Sequence, residues 1–301
     1  KVYIPATVTL IKNRAFGECE SLTTVTFDTT KTYILDIEDV TSGQSWSGSM
    51  TYNYYDAPFY GCDSLTTIQL PEGTKKIGAC AFYGIRSLNM ITIPSTVEVI
   101  GAQAFSSAFG DGTTGKELVI PESVKTLGEQ AFYGSGITKA TIKMSGETIG
   151  MGAFSASDLN SVDISQSNVK TIAAEAFEYC DITTFVWNDM VTSIGDLAFY
   201  GSAFGEFVLP ATVKTIGNEA FKYGEEMTSF SCAAGSVLEK IGDGAFWRCE
   251  SLVTVTLPAS IKTIGADAFY YCSALTTVNF LEDVTTGQSK LEKIGNEAFA
   301  Y

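Results

Sequence analysis

The pair Ala-Phe returns along this chain at a nearly constant interval, a pattern that a single globular core does not produce. It occurs as Ala15-Phe16, Ala81-Phe82, Ala104-Phe105, Ala131-Phe132, Ala153-Phe154, Ala176-Phe177, Ala198-Phe199, Ala220-Phe221, Ala245-Phe246, Ala268-Phe269 and Ala298-Phe299, with a twelfth copy as Ala57-Pro58-Phe59. From Phe16 onward the phenylalanines lie 43, 23, 23, 27, 22, 23, 22, 22, 25, 23 and 30 residues apart. A period near 23 describes a stack of small units, because no such unit buries its apolar side alone. The spacing predicts a solenoid of about twelve coils over residues 1–301, with an insertion at 28–57. Both ends fall inside a repeat without a capping unit, so the chain reads as truncated at each end.

One regular copy runs from Leu252 to Cys272. Val255 and Leu257 alternate with Thr254 and Thr256, as in a short half-buried strand. Six of the seven prolines (Pro5, Pro71, Pro94, Pro121, Pro210 and Pro258) follow that strand directly, where a residue without an N–H ends sheet pairing. A second apolar pair follows, such as Val213/Ile216 or Ile261/Ile264, and fits a tight turn or short extended piece on the opposite wall. Glycine comes next in nine copies, from Gly78 to Gly295, with Lys12 and Ala173 as exceptions. So regular a glycine suggests a positive φ. Two mostly polar residues then precede Ala-Phe, enough for one helical or 3-10 turn. Acidic residues there (Glu175, Glu219, Asp267 and Glu297) suit the start of such a turn.

Cys19, Cys62, Cys180, Cys249 and Cys272 each sit three residues after a repeat phenylalanine, a slot that elsewhere holds Ala108, Ser135, Ser157, Ser202 or Gly224. That is a packing site for small residues, so the seven cysteines are expected to be reduced and structural.

The strand pattern Leu65, Ile68, Leu70, Pro71 and the signature Ile216, Gly217, Ala220, Phe221 resemble the BspA-type leucine-rich repeat proteins. The resemblance covers essentially the whole chain. It implies a leucine-rich repeat solenoid of the α/β class, mostly short strands with short helical or 3-10 turns, wound as a right-handed curved superhelix. Proline replaces the asparagine or cysteine that follows the strand in more familiar leucine-rich repeats, so long convex helices are not expected. Members of the family are secreted or surface-attached proteins of gut and oral bacteria and some protozoa, implicated in adhesion to host matrix proteins and to other cells. The resemblance therefore implies a bacterial protein with an extracellular or cell-surface location.

Composition narrows the chemistry. A net charge of −15 repels phosphate backbones and anionic lipid, which argues against nucleic-acid partners. The apolar runs are too short to span a bilayer, so direct membrane insertion is not expected. There is no histidine, phosphate loop, dinucleotide fingerprint or nucleophile elbow, and Asp111 to Gly115 lacks the alternating acids of a calcium loop. No catalytic residue, cofactor or metal site is assigned, and no enzyme activity is expected.

Three features vary against the repeat. The 28–57 segment lacks the Ile-Gly element and carries Trp46, Tyr52, Asn53, Tyr54 and Tyr55 among small polar residues, a mixture typical of adaptable binding loops. Those rings could equally pack back onto the solenoid. Its stretch from Glu38 to Ser45 is echoed from Glu282 to Ser289, which favours a repeated hairpin. Aromatic residues also follow the repeat phenylalanines directly, at Tyr60, Tyr83, Tyr133, Tyr200, Trp247 and Tyr270. Such rings could stack on a partner or simply pack the edge with their hydroxyls in water. Finally, threonine and serine columns (Thr24, Thr67, Ser161, Thr184, Ser229, Thr254, Thr277) line the outward strand face, where β-propensity alone accounts for them.

Together these features point to a non-enzymatic secreted or cell-surface adhesion protein that recognises a macromolecule through its solenoid surface. The partner expected is a protein or glycan, host extracellular matrix included. Candidate contact residues are Trp46, Tyr52, Tyr54, Tyr55, Tyr83, Tyr133, Tyr200, Trp247 and Tyr270. Two alternatives stay open: a passive spacer that displays another domain, and a polysaccharide-acting enzyme whose carboxylates converge from adjacent coils.

Overall fold

The computed structural model describes residues 1–28, 34–40, 42–44, 50–110, 115–282 and 289–301, with backbone alone at 42–44 and 50–52. The chain divides into two compact units. The first comprises Lys1–Gly146 with Ala153–Leu159, the second Glu147–Gly152 with Asn160–Tyr301. Each unit is a parallel β-solenoid.

Two ladders of short strands form the long sides of the coils. One, the wall, is made by the residues just before the repeat glycine. In the first unit it runs Leu10–Ile11, Leu35–Ile37, Thr74–Ile77, Val99–Ile100 and Thr126–Leu127, all parallel. In the second it runs through seven strands from Thr148–Ile149 to Lys293–Ile294. The apolar pair expected as a turn or short extended piece is thus a paired strand. The other ladder, the face, carries the alternating segments. Glu206–Leu209, Ser229–Cys232, Thr254–Leu257 and Thr277–Phe280 pair in register. Val255 and Leu257 are fully buried, and Ser229, Thr254 and Thr277 align outward as the alternation required.

Each of the six prolines closes its face segment by accepting a turn bond from the residue three on, as in Val97 N to Pro94 O at 3.1 Å and Ile261 N to Pro258 O at 3.1 Å. Asn188 occupies the same slot where proline is missing. Its Oδ1 accepts from Met190 N and Val191 N, and its Nδ2 donates to Ser167 and Val169 carbonyls, so the buried amide is satisfied by its own turn on one side and by the preceding coil on the other.

Phenylalanine rings fill the coil centres. In the first unit Phe16, Phe59, Phe82, Phe105, Phe132 and Phe154 stack in sequence, with centroids 5.0–5.2 Å apart. In the second, Phe177, Phe199, Phe221, Phe246, Phe269 and Phe299 stack at 5.0–5.5 Å. Strand pairing fixes the coil rise near 4.8 Å, and rings held nearly parallel then sit at about that separation.

The repeat glycines do not have positive φ. A Cβ on Gly217 would lie 2.4 Å from Gly195 C, and one on Gly242 would lie 2.5 Å from Gly217 C. Close approach between coils, rather than backbone conformation, selects glycine there.

Nor do helices follow. The single helical segment among the described residues is a 3-10 turn at Tyr54–Asp56. Around each Ala-Phe the backbone instead makes consecutive turns. In one coil Ala104, Ser106 and Ala108 donate to carbonyls three residues back, at Gly101, Gln103 and Phe105. The alternate residues Gln103, Phe105 and Ser107 donate to the next coil, at Glu129, Ala131 and Tyr133. Such alternation requires left-handed residues on both sides of the phenylalanine. They lie two before it (Arg14, Gln103, Glu175, Glu219, Asp267) and two after it (Ser107, Tyr179, Tyr223, Arg248, Tyr271), with φ between 53° and 59°. The recurrent acids before Ala-Phe therefore start no helix.

Part of the 28–57 insertion is regular coil. Leu35–Ile37 pairs with Leu10–Ile11, and Leu35 and Ile37 are fully buried. Glu38 takes the glycine slot there. The excursion proper contains an antiparallel hairpin, Ser42–Gln44 with Met50–Tyr52. Trp46, residues 111–114 and most of the echoed stretch (283–288) lie outside the described residues.

All seven cysteines are free. Burial pushes the Cys62 thiol up to about 11 and those of Cys80 and Cys272 up to about 12. Cys62, Cys249 and Cys272 sit buried in the expected slot, and each thiol donates to the phenylalanine carbonyl of the preceding coil at 3.1–3.2 Å. Cys19, in the outermost coil, is exposed.

Candidate binding edge

The turns around Ala-Phe form an edge of each unit, and two residues per coil project from it. The residue after the phenylalanine is the one the sequence drew attention to. The left-handed backbone one position further turns a second side chain onto the same edge.

In the first unit the edge is closed over by the insertion. Tyr54 stacks on Tyr83 at 4.8 Å with the planes 15° apart, and lies 4.5 Å from Tyr55. Tyr55 in turn meets Tyr60 edge-on at 5.1 Å. The Tyr54 hydroxyl donates to Tyr55 Oη at 3.4 Å, and that bond is the main reason its pKa is raised. Three candidate residues, Tyr54, Tyr55 and Tyr83, therefore share one cluster, and only Tyr55 remains half exposed. This is the packing-back arrangement weighed for these rings. Tyr133 stands exposed further along, and Tyr52 is placed by its backbone alone.

The second unit carries a more continuous row. Tyr179 meets Tyr200 at 4.9 Å, and Tyr200 meets Tyr223 at 5.3 Å, both edge-on. Trp247 meets Tyr270 at 5.5 Å, and Tyr270 contacts Tyr271 and Tyr301 at 4.7 and 5.2 Å. Two cations are threaded through the rings. Lys222 Nζ sits 4.2 Å from the Trp247 centroid and 2.8 Å from Glu219 Oε2. The Arg248 guanidinium lies 5.8 Å from Tyr223 and 5.5 Å from Tyr271. Arg248 is exposed, and a contact of this kind at an exposed site contributes on the order of 0.5–1 kcal/mol. Tyr200 is held neutral: burial and the neighbouring Tyr179 hydroxyl raise its pKa well above the usual phenol value.

Tyr200, Trp247 and Tyr270 thus lie on this edge. Tyr179, Tyr223, Tyr271 and Arg248 were missed, because a column two residues past the phenylalanine shares their edge only when its backbone is left-handed; Lys222 stands in the first column but is not aromatic. A cleft of about 490 Å³ opens on this row between Tyr179 and Tyr223, with Asp181, Glu225 and Glu226 among its lining residues. Among the described residues no cluster of three or more His, Cys, Asp or Glu side chains could hold a metal ion, and no helix is long and apolar enough to cross a membrane.

Comparison with known proteins agrees with this architecture. No curated protein matches the chain. Among solved structures, a leucine-rich repeat protein from Bacteroides ovatus superposes with a TM-score of 0.65 at 22% identity, over 99% of this chain and 84% of its own. A leucine rich cell surface protein from Faecalibacterium prausnitzii gives a TM-score of 0.50 at 22% identity, over 97% of this chain and 82% of its own. At these identities the likeness establishes the fold. The model of the BspA type leucine rich repeat region matches in six copies, over residues 1–37, 53–110, 106–205 and 192–301. The chain belongs to the BspA-type leucine-rich repeat family.

Proposed function

We propose that this chain is a non-enzymatic, cell-surface binding protein that holds a macromolecular partner, protein or glycan, on the turn edge of its coils. The observation that carries this is the row of rings and cations in the second unit. Tyr179 is 60% exposed and Tyr271 39%, and they belong to a run of touching rings rather than standing singly, the arrangement that marks interaction surfaces. Tyrosine and arginine are also the residues that most often anchor protein contacts. A surface location is supported by family membership and by the cell-surface description of the Faecalibacterium protein.

The test is adhesion of the purified chain to immobilised matrix proteins and glycans, beside a variant carrying Tyr179→Ser, Tyr223→Ser and Tyr271→Ser. Loss of adhesion with the thermal midpoint retained is the expected outcome. Equal adhesion by both proteins would move the binding site off this edge, adhesion by neither would make the chain a passive spacer, and turnover of a polysaccharide would make it an enzyme.

A further inference from the structure

We infer that the cleft over Gly201 is a receptor for an arginine side chain presented by a basic polypeptide segment. This rests on the reading of the chain as a binding protein and supplies the chemistry of its partner.

The template lies in the same unit. Two residues past the phenylalanine, successive coils carry Tyr179, Gly201, Tyr223, Arg248 and Tyr271, all left-handed. Arg248 therefore has a tyrosine on the coil before it and another on the coil after it, and its guanidinium lies within 6 Å of both rings. Gly201 occupies the equivalent place between Tyr179 and Tyr223, with φ of 74°, and has no side chain to put there. A Cβ built on it would meet only Tyr179 within 4 Å. The missing side chain is what opens the cleft.

The surroundings suit a guanidinium better than any neutral group. Asp181, Glu225 and Glu226 line the cleft with Tyr179, Tyr200 and Tyr223. Ser202 also lines it. That residue is 2% exposed, and its hydroxyl has no hydrogen-bond partner. A buried hydroxyl without a partner costs roughly 1–3 kcal/mol, which an incoming N–H would recover. The chain's own Lys222 lies 4.2 Å from the Trp247 centroid, against 5.6 Å from Tyr223 and 6.0 Å from Tyr200. A planar guanidinium can stack on one ring while its five donors reach carboxylates and a hydroxyl, whereas an ammonium can satisfy fewer of these at once. The net charge of −15 draws basic segments toward the chain at long range, and the cleft selects among them.

The experiment measures binding of a short fluorescent peptide of arginine, glycine and serine to the whole 301-residue chain by anisotropy. A matched peptide with citrulline in place of arginine keeps the shape and removes the charge. The arginine peptide should bind at least about tenfold tighter than the citrulline one, and more weakly as salt rises. Gly201→Arg should fill the cleft from within and weaken binding by about tenfold or more, with the thermal midpoint lowered by only a few degrees, because Arg248 already tolerates this backbone conformation. Should that variant fold poorly, Ser202→Ala and Glu225→Gln give independent readings, each expected to weaken binding by roughly three- to tenfold. Glu117→Gln with Glu122→Gln, in the first unit, removes acid elsewhere and should leave binding unchanged. Equal binding of the citrulline peptide, full binding by Gly201→Arg, or displacement of the peptide by an oligosaccharide as effective as free arginine peptide would overturn the inference. If the wild-type chain adheres to partners yet ignores the arginine peptide, the cleft assignment alone falls. If it adheres to nothing, the broader function falls as well.

Discussion

The wall and the edge of each coil constrain sequence in opposite ways. On the wall the glycine column keeps an ordinary φ, and a Cβ would strike the neighbouring backbone at 2.3–2.6 Å. On the edge the flanking columns adopt a left-handed φ and yet hold arginine, glutamine, glutamate, leucine or tyrosine. Space is scarce on the wall and conformation is unusual on the edge. The wall therefore repeats one residue, while the edge admits almost any side chain that its turn bonds can hold in place. Chemistry can vary along the edge without disturbing the stack, and it does. Two residues past the phenylalanine, the first unit carries Glu18, Gly61, Gly84, Ser107, Gly134 and Ala156, where the second carries Tyr179, Gly201, Tyr223, Arg248, Tyr271 and Tyr301.

The largest effect should come from the ring column that joins wall to edge. Phe199 stacks between Phe177 and Phe221 and is fully buried, so Phe199→Ala should cost about 3–5 kcal/mol in urea denaturation. Phe299→Ala should cost much less, since that ring is 36% exposed and has Phe269 alone as a stacking neighbour among the described residues. Equal costs would mean that the stack is not what secures the coil.

On the wall, Gly217→Ala places a methyl 2.4 Å from Gly195 C and should cost roughly 1–3 kcal/mol. Ala173 bounds the figure. That residue occupies the same slot in its own coil, so a methyl is accommodated by local displacement rather than by unfolding. Gly217→Val should exceed Gly217→Ala, whereas Gly201→Ala, on the edge, meets nothing nearer than 3.8 Å and should cost about 1 kcal/mol, the left-handed strain at φ of 74° less the entropy that glycine adds to the unfolded chain. A wall substitution that proves harmless would remove the contrast.

Most of this architecture was legible because the repeat is short and its apolar slots seldom vary. The ring columns, the proline turns and the small slot that takes cysteine follow from residue type and spacing alone. Two failures share one cause: sequence shows where a glycine recurs but not which physical demand keeps it there. Close approach and positive φ both select glycine, and only coordinates separate Gly217, at ordinary φ, from Gly201. The wall strand at Leu35–Ile37 was hidden for the same reason, since Glu38 stands where the eye seeks glycine. The second edge column escaped notice because the bearing of Tyr223 and Arg248 depends on a backbone conformation that neither residue advertises.

The smallest effects should separate conformation from packing on the edge itself. Asp267 has φ of 55°, and its N–H donates to Asn296 O at 2.9 Å. Left-handed backbone costs an L-residue about 1–2 kcal/mol, less for aspartate, whose short side chain visits this region more readily than most. Asp267→Val should therefore lose about 1–2 kcal/mol, since a β-branched residue fits this conformation worst. Asp267→Gly relieves the conformational cost but adds backbone entropy to the unfolded chain, so its net effect should be a few tenths of a kcal/mol, of either sign. The two variants delete the same carboxylate, so charge and any contact of the aspartate cancel between them, and the difference in urea midpoint reports the φ constraint less the entropy that glycine adds to the unfolded chain. A difference near zero would show that the edge turn yields to its side chain, and the tolerance seen from Glu18 to Tyr301 would then come from a pliable backbone and not from one that the inter-coil hydrogen bonds hold rigid.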